Sequence, residues 1–211
     1  VHCVHQHAAP YADQGAHQLL DTAPKSPLHL STRFVTSLEQ RLAAAVRQAV
    51  DRLQPFDRIG TGQAIVERVA STRRLRGADG HITVRYSAGG ASPELAVAPE
   101  GYIDPWLKTI TLAHSNQPLV RLHYYATHPQ TFCCDGRASA DFVGQARETL
   151  EAKEHIVQLY FTGCAGDVTV GKYNDGTPRA RAELAQRLLT GMEHAIATSQ
   201  FMPGRKLIWR T

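Results

Sequence analysis

An α/β domain, a mixed β-sheet layered with helices and spanning residues 1–211 as one unit, is the fold class this sequence predicts. Three observations carry it. Segments whose apolar residues recur every three to four positions take turns with segments that alternate every second residue. One run, residues 156–162, is almost continuously apolar, as expected of a central strand buried on both faces. Glycine and proline punctuate residues 77–105, where neither periodicity holds for long.

In chain order, Val1 and the three residues after it read as the tail of a strand. Ser37-Leu38-Glu39-Gln40 has the capping-box pattern, in which the Ser and Gln side chains satisfy the first amide hydrogens of a helix. Leu38, Leu42, Val46, Val50 and Leu53 then fall on one face, and Pro55 stops the run. A second helix is expected over 62–72, carrying Ile65, Val66 and Val69. One alternating strand, 81–86, stands among Gly77, Gly80, Gly89, Gly90, Pro93, Pro99, Gly101 and Pro105. Two strands follow, near 107–113 and 119–127. Residues 141–153 read as a helix capped by Ser139, with Phe142, Ala146 and Leu150 four apart. The last helix takes Thr177 as N-cap and Pro178 as its first residue, then Leu184, Leu188, Met192 and Ile196. Lys206-Leu207-Ile208-Trp209 reads as another strand beginning, so the chain is expected to be an internal piece of a longer protein.

Composition removes several function classes. Hydrophobic residues make 43% and charged residues 20%, which excludes wholesale disorder. No apolar run approaches the roughly 20 residues a bilayer-spanning helix needs. Lys and Arg exceed Asp and Glu by 23 to 19, a net charge of +4 and a pI near 9.0. That charge lies in short pieces such as Arg73-Arg74-Leu75-Arg76, without a basic stripe interleaved with aromatics, which argues against nucleic acid. Cys3, Cys133, Cys134 and Cys164 have neither zinc-knuckle nor disulfide-framework spacing. The 11 histidines are the one skewed count, and imidazole is the commonest metal ligand and proton shuttle near neutrality.

Four constellations could carry chemistry. His5-Gln6-His7 closes the opening strand, where residues two apart share a face, so both rings can approach one ion; the bland alternative is two solvated histidines. His128 leaves the strand 119–127 and is followed by Pro129, which stiffens the turn; it could instead only bond a backbone carbonyl. Residues 163–169 form a glycine turn after the apolar strand, able to offer amide hydrogens to an anion. Asp167 in that turn could orient a ligand histidine or cap the turn. Ala138-Ser139-Ala140-Asp141 is first a helix cap, to which a functional role could be added. Both histidine clusters and the glycine turn lie at strand ends, where α/β sheets gather their sites.

These segments, taken together and in this order, resemble the neutral, non-lysosomal ceramidases and their bacterial relatives. His5-Gln6-His7-Ala8-Ala9-Pro10 is similar to that family's H-T-H-S-G-P segment, and Ala126-Thr127-His128-Pro129 to its A-x-H-P segment. Ser139-Ala140-Asp141-Phe142-Val143-Gly144 resembles a third signature, and residues 163–169 the family's G-D-V-S turn, with Thr169 standing where that serine falls. The proline-asparagine that follows there is Val170-Gly171 in this chain. The resemblance implies a Zn²⁺-dependent amidohydrolase that cleaves an N-acyl, ceramide-like amide with metal-activated water. It implies His5 and His128 as metal ligands, with His7 contacting substrate or oxyanion, and Arg73 as the counterpart of a family arginine. Asp167 and Thr169 are the further catalytic candidates, and the family's remaining ligands, a glutamate and a tyrosine, are expected after Thr211. It also implies a small lipid-like substrate, allows peripheral membrane contact, and suggests a secreted or periplasmic protein. Two rivals stand beside it: a hydrolase with Cys164 as nucleophile, and a non-catalytic glycan- or lipid-binding protein on the same scaffold.

Overall fold

The computed structural model describes residues 4–9, 13–27, 32–132 and 136–204. The expected strand at 206–209, most of the one ending at Val4, and Cys3, Cys133 and Cys134 lie outside the described residues. Two compact units are present, residues 1–8 with 56–211, and residues 9–55.

In the smaller unit, α1 (Gln14–Asp21) starts at Asp13, whose side chain accepts from Ala16 N at 2.9 Å. The second helix, α2 (Thr32–Val50), begins five residues before the expected cap, so Ser37 lies inside it. Nothing in residues 32–36 breaks a helix, and Thr36 Oγ1 bonds back to Thr32 O at 3.1 Å. Leu38, Leu42, Val46 and Val50 do share a face, and all are exposed.

The larger unit is built on a five-stranded sheet in the order β7-β6-β5-β1-β9. Its strands are β1 (Arg58–Ile65), β5 (Trp106–His114), β6 (Gln117–Tyr125), β7 (Val157–Thr162) and β9 (Gln200–Pro203). β6 and β7 are parallel and joined through α4 (Asp141–Glu154), and every other pair is antiparallel. The long helix α5 (Pro178–Ala197) packs with α4 on the sheet. A mixed sheet layered with helices is therefore the observed fold class. Two short ladders, β2 (Ser71–Thr72) with β8 (Val168–Thr169) and β3 (Arg74–Arg76) with β4 (Ile82–Val84), stand apart from the main sheet. A short helix, α3 (Pro93–Val97), completes the set.

Three expectations need correction. Residues 62–72 are not helical: β1 ends at Ile65, the chain turns at Arg68 with φ 57°, and Ser71 and Thr72 enter β2. Ile65, Val66 and Val69 mimic a helical stripe, yet β1 is hydrogen-bonded on both edges, and those ladders outweigh a short local pattern. Residues 156–162 form a strand, but β7 ends the row among the described residues, and Val157 and Leu159 are exposed. The helix 141–153 is α4, but its N-cap is Ala140; Ser139 Oγ instead accepts from Asp141 N at 3.0 Å.

The core follows the helix periods. Leu184, Leu188 and Met192 of α5 are fully buried, against Phe142 and Leu150 of α4 and Leu107 and Tyr125 of the sheet. Each such side chain contributes about 2 kcal/mol of burial. A Cβ on Gly62 would lie 1.9 Å from Ala195 O, so a glycine is what lets β1 and α5 approach this closely. Arg85, fully buried, organises the irregular stretch after β4: its guanidinium donates to the carbonyls of Thr72, Leu95, Ala98, Pro99 and Glu100.

Candidate metal centre

His128 lies three residues beyond β6, where the chain leaves the sheet. Its backbone N and its Nδ1 both reach Val168 O, at 3.1 and 2.8 Å. A carbonyl only accepts, so Nδ1 carries the hydrogen, and the neutral ring keeps a lone pair on Nε2, the state a metal ligand requires. The glycine turn thus orients His128 through the backbone of β8.

His5 and His7 do not sit on a strand. Residues 4–9 are irregular, and His5 adopts φ 56°, a conformation few non-glycine residues take. The segment is tied down by its neighbours: Thr162 Oγ1 donates to Val4 O at 2.7 Å, Gln6 Nε2 to Ser139 O at 2.6 Å, and Ser139 N to Ala8 O at 2.8 Å. The three rings meet, with centroids 4.8 Å apart for His5 and His7, 4.6 Å for His5 and His128, and 5.4 Å for His7 and His128. One nitrogen from each lies within 4.8 Å of the others. Tetrahedral Zn–N bonds of about 2.1 Å place nitrogens about 3.4 Å apart, so the rings must draw closer to hold such an ion.

The surroundings suit a cation held by neutral imidazoles. Burial, then the neighbouring His5, His128 and Arg73, push the His7 ring below its ordinary pKa, against a smaller opposing pull from Asp141. Burial is also the main influence lowering His128, opposed by its bond to Val168. His7 Nε2 is buried without a hydrogen-bond partner, as are Thr127 Oγ1 and Thr169 Oγ1. An orphaned imidazole nitrogen facing two other rings is what an unfilled ligand set would show.

The β2–β8 ladder pairs Ser71 with Thr169, which brings Arg73 to the same place. His7, Arg73, His128 and Thr169 line one cavity of about 720 Å³, whose remaining wall includes Val84, Tyr86 and Leu95. That volume is in the range of small-molecule sites. Asp167 does not join them. Its carboxylate accepts from Arg74 Nε at 2.7 Å in a half-exposed ion pair, and only its backbone carbonyl touches the site's frame, by accepting from Arg73 N at 2.8 Å. The Asp167 side chain thus pairs with Arg74, and it is Val168 O that His128 Nδ1 meets. Cys164 is free and exposed in the turn.

Asp141 is the residue that sequence reasoning left as a cap. It is buried at φ 57°, and its carboxylate accepts from Thr131 Oγ1 at 2.6 Å, Thr131 N at 3.0 Å and Phe142 N at 2.7 Å. The available signal was its place in the Ser139-Ala140-Asp141 segment. The cavity wall at 84–95, with Val84 ending β4 and Leu95 in α3, carried no motif, because its shape depends on the buried Arg85.

Two solved structures share this architecture. One, a ceramidase complexed with C2, superposes with a TM-score of 0.52 at 16% identity, covering 72% of this chain and 24% of that one. The other, neutral ceramidase from Pseudomonas aeruginosa, gives 0.51 at 17% identity with the same coverages. The fold is ceramidase-like. This chain spans about a quarter of the length of those proteins, 24%. No sequence-family profile matches it, and no curated protein matches it in sequence.

Proposed function

We propose that this chain carries part of the site of a zinc-dependent amidohydrolase that cleaves the N-acyl bond of a lipid-like, ceramide-type amide. The observation that carries this reading is the meeting of His5, His7 and His128, two of which, His7 and His128, line a cavity with apolar walls. The ceramidase-like fold supports the amide class, and the imidazole set supports the metal. His5 and His128 would hold the ion as neutral rings. When bound, Zn²⁺ supplies Lewis-acid polarisation and a water acidic enough to ionise near neutrality. His7 and Arg73 face the developing oxyanion from the cavity wall, and Thr169 Oγ1 is free to donate to the same oxygen. Val84, Tyr86 and Leu95 take apolar chain. Losing one oxyanion donor lowers kcat by about 10²–10³-fold.

The test is elemental analysis together with N-acyl amide turnover. His128→Ala is expected to abolish both stoichiometric zinc and activity, and zinc retained in that variant would reject the reading. His7 admits a second reading, as third ligand, because its nitrogen belongs to the same set. His7→Ala separates the two: zinc kept with turnover lost makes it an oxyanion donor, whereas zinc lost makes it a ligand.

A further inference from the structure

A second cavity, of about 590 Å³, opens between the loop after β1, the residues following β8 and the first turns of α5. Its charges do not balance. Arg68, Lys172, Arg179 and Arg187 line it against Asp175 and Glu183. Glu183 is already shared, accepting from Arg179 Nε and Arg187 Nη2 at 2.9 Å each. Asp175 is turned into its own loop, where it accepts from Thr177 N at 2.9 Å and Thr177 Oγ1 at 2.6 Å.

Arg68 and Lys172 make no close ion pair with a carboxylate among the described residues, although Glu183 feels the charge of Arg68 and Lys172 that of Glu100. The Lys172 ammonium donates to two neutral carbonyls, Ala96 O at 2.8 Å and Ala98 O. The Arg68 guanidinium lies 5.9 Å from the centroid of the Tyr173 ring, and Lys172 Nζ lies 5.8 Å from the same centroid. Glu100 is held by the Tyr173 hydroxyl at 2.5 Å. Burial and the nearby Arg85 hold the Lys172 ammonium below its ordinary pKa, against an opposing pull from Glu100. The arrangement is also held in place. Arg68 sits at φ 57°, an uncommon conformation for a long side chain, and Arg187 Nη1 fixes it by donating to Arg68 O at 3.0 Å.

We infer that this cavity binds a compact phosphate-class dianion through the Arg68 guanidinium and the Lys172 ammonium, both of which line it. The guanidinium offers a planar pair of donors to two phosphate oxygens, and the ammonium a point charge to a third. Free phosphate, a soluble monoester and a phosphorylated lipid headgroup all present this chemistry. The site shares no lining residue with the histidine cavity, so it stands or falls independently of the proposed hydrolase.

Calorimetric titration with inorganic phosphate tests it on the protein and on two variants, Arg68→Gln and Lys172→Met. Saturable one-to-one binding is expected, weakened about tenfold or more in each variant, as for loss of one charge-assisted contact. Lys172→Met also removes the bonds to Ala96 and Ala98, so if it does not fold, Arg68→Gln decides alone. Vesicles of phosphatidylcholine with phosphatidic acid distinguish the sources. Sedimentation with vesicles that phosphate displaces assigns a lipid headgroup, while phosphate binding without sedimentation assigns a soluble anion, and both outcomes uphold the site. Absence of saturable phosphate binding, or binding undiminished in Arg68→Gln, overturns it.

Discussion

His123 has both ring nitrogens committed inside the sheet. Gln158 Nε2 donates to Glu154, so Gln158 Oε1 accepts from His123 Nε2 at 2.9 Å, and Nδ1 is hydrogen-bonded with Thr109 Oγ1 at 2.8 Å. Burial lowers the pKa of the ring from the ordinary 6.5, with Arg121 adding to the effect against the bond to Gln158. The unfolded chain therefore binds a proton in a window where the folded one does not, and stability falls as pH drops below about 6.5. Urea midpoints between about pH 7.5 and 5 are expected to show this, with a flatter dependence in His123→Gln; an unchanged slope would refute the assignment. At Cys164 the metal reading makes an opposite demand: iodoacetamide is expected to leave N-acyl amide turnover intact, and inhibition would transfer the nucleophile to that thiol. His128 and the His5/His7 pair were legible as residues, because a histidine next to a proline at a strand exit and an H-x-H spacing are local features. The direction of the Asp167 side chain was not legible, because its partner Arg74 lies 93 positions away.

Among the elements, α5 was the most readable. Thr177 Oγ1 accepts from Ala180 N at 3.1 Å, Pro178 follows, and the apolar positions are those that bury. Thr177→Ala is expected to cost about 1 kcal/mol in urea unfolding. β1 was the least readable, and its Gly62 is the reason it can lie against α5. Gly62→Ala, whose Cβ would meet Ala195 O, is expected to cost about 2 kcal/mol or more. Gly166→Ala, with nothing within 4 Å of its Cβ, serves as the control, at about 0.5 kcal/mol or less. Equal effects at the two glycines would contradict the close β1–α5 contact.

For the molecule as a whole, the histidine set fastens three distant pieces together: residues 4–8, the exit of β6 and the turn into β8. A bound ion adds its own free energy to that junction, about 2.7 kcal/mol at a hundredfold excess over Kd. Zinc is expected to raise the Tm of chelator-treated protein and to leave His128→Ala unmoved, and an equal shift in both would place the metal elsewhere.

Local patterning was enough for the α/β class, for α4, α5, β5 and β6, and for the identity of the histidines, since caps, periods and spacings act within a few residues. The convergence of the rings, the membership of Thr169 and Arg73 in one cavity and the two cations near Tyr173 were settled by pairing and packing across the chain. Such contacts depend on which strands meet and in what register, and neighbouring residues carry no record of that.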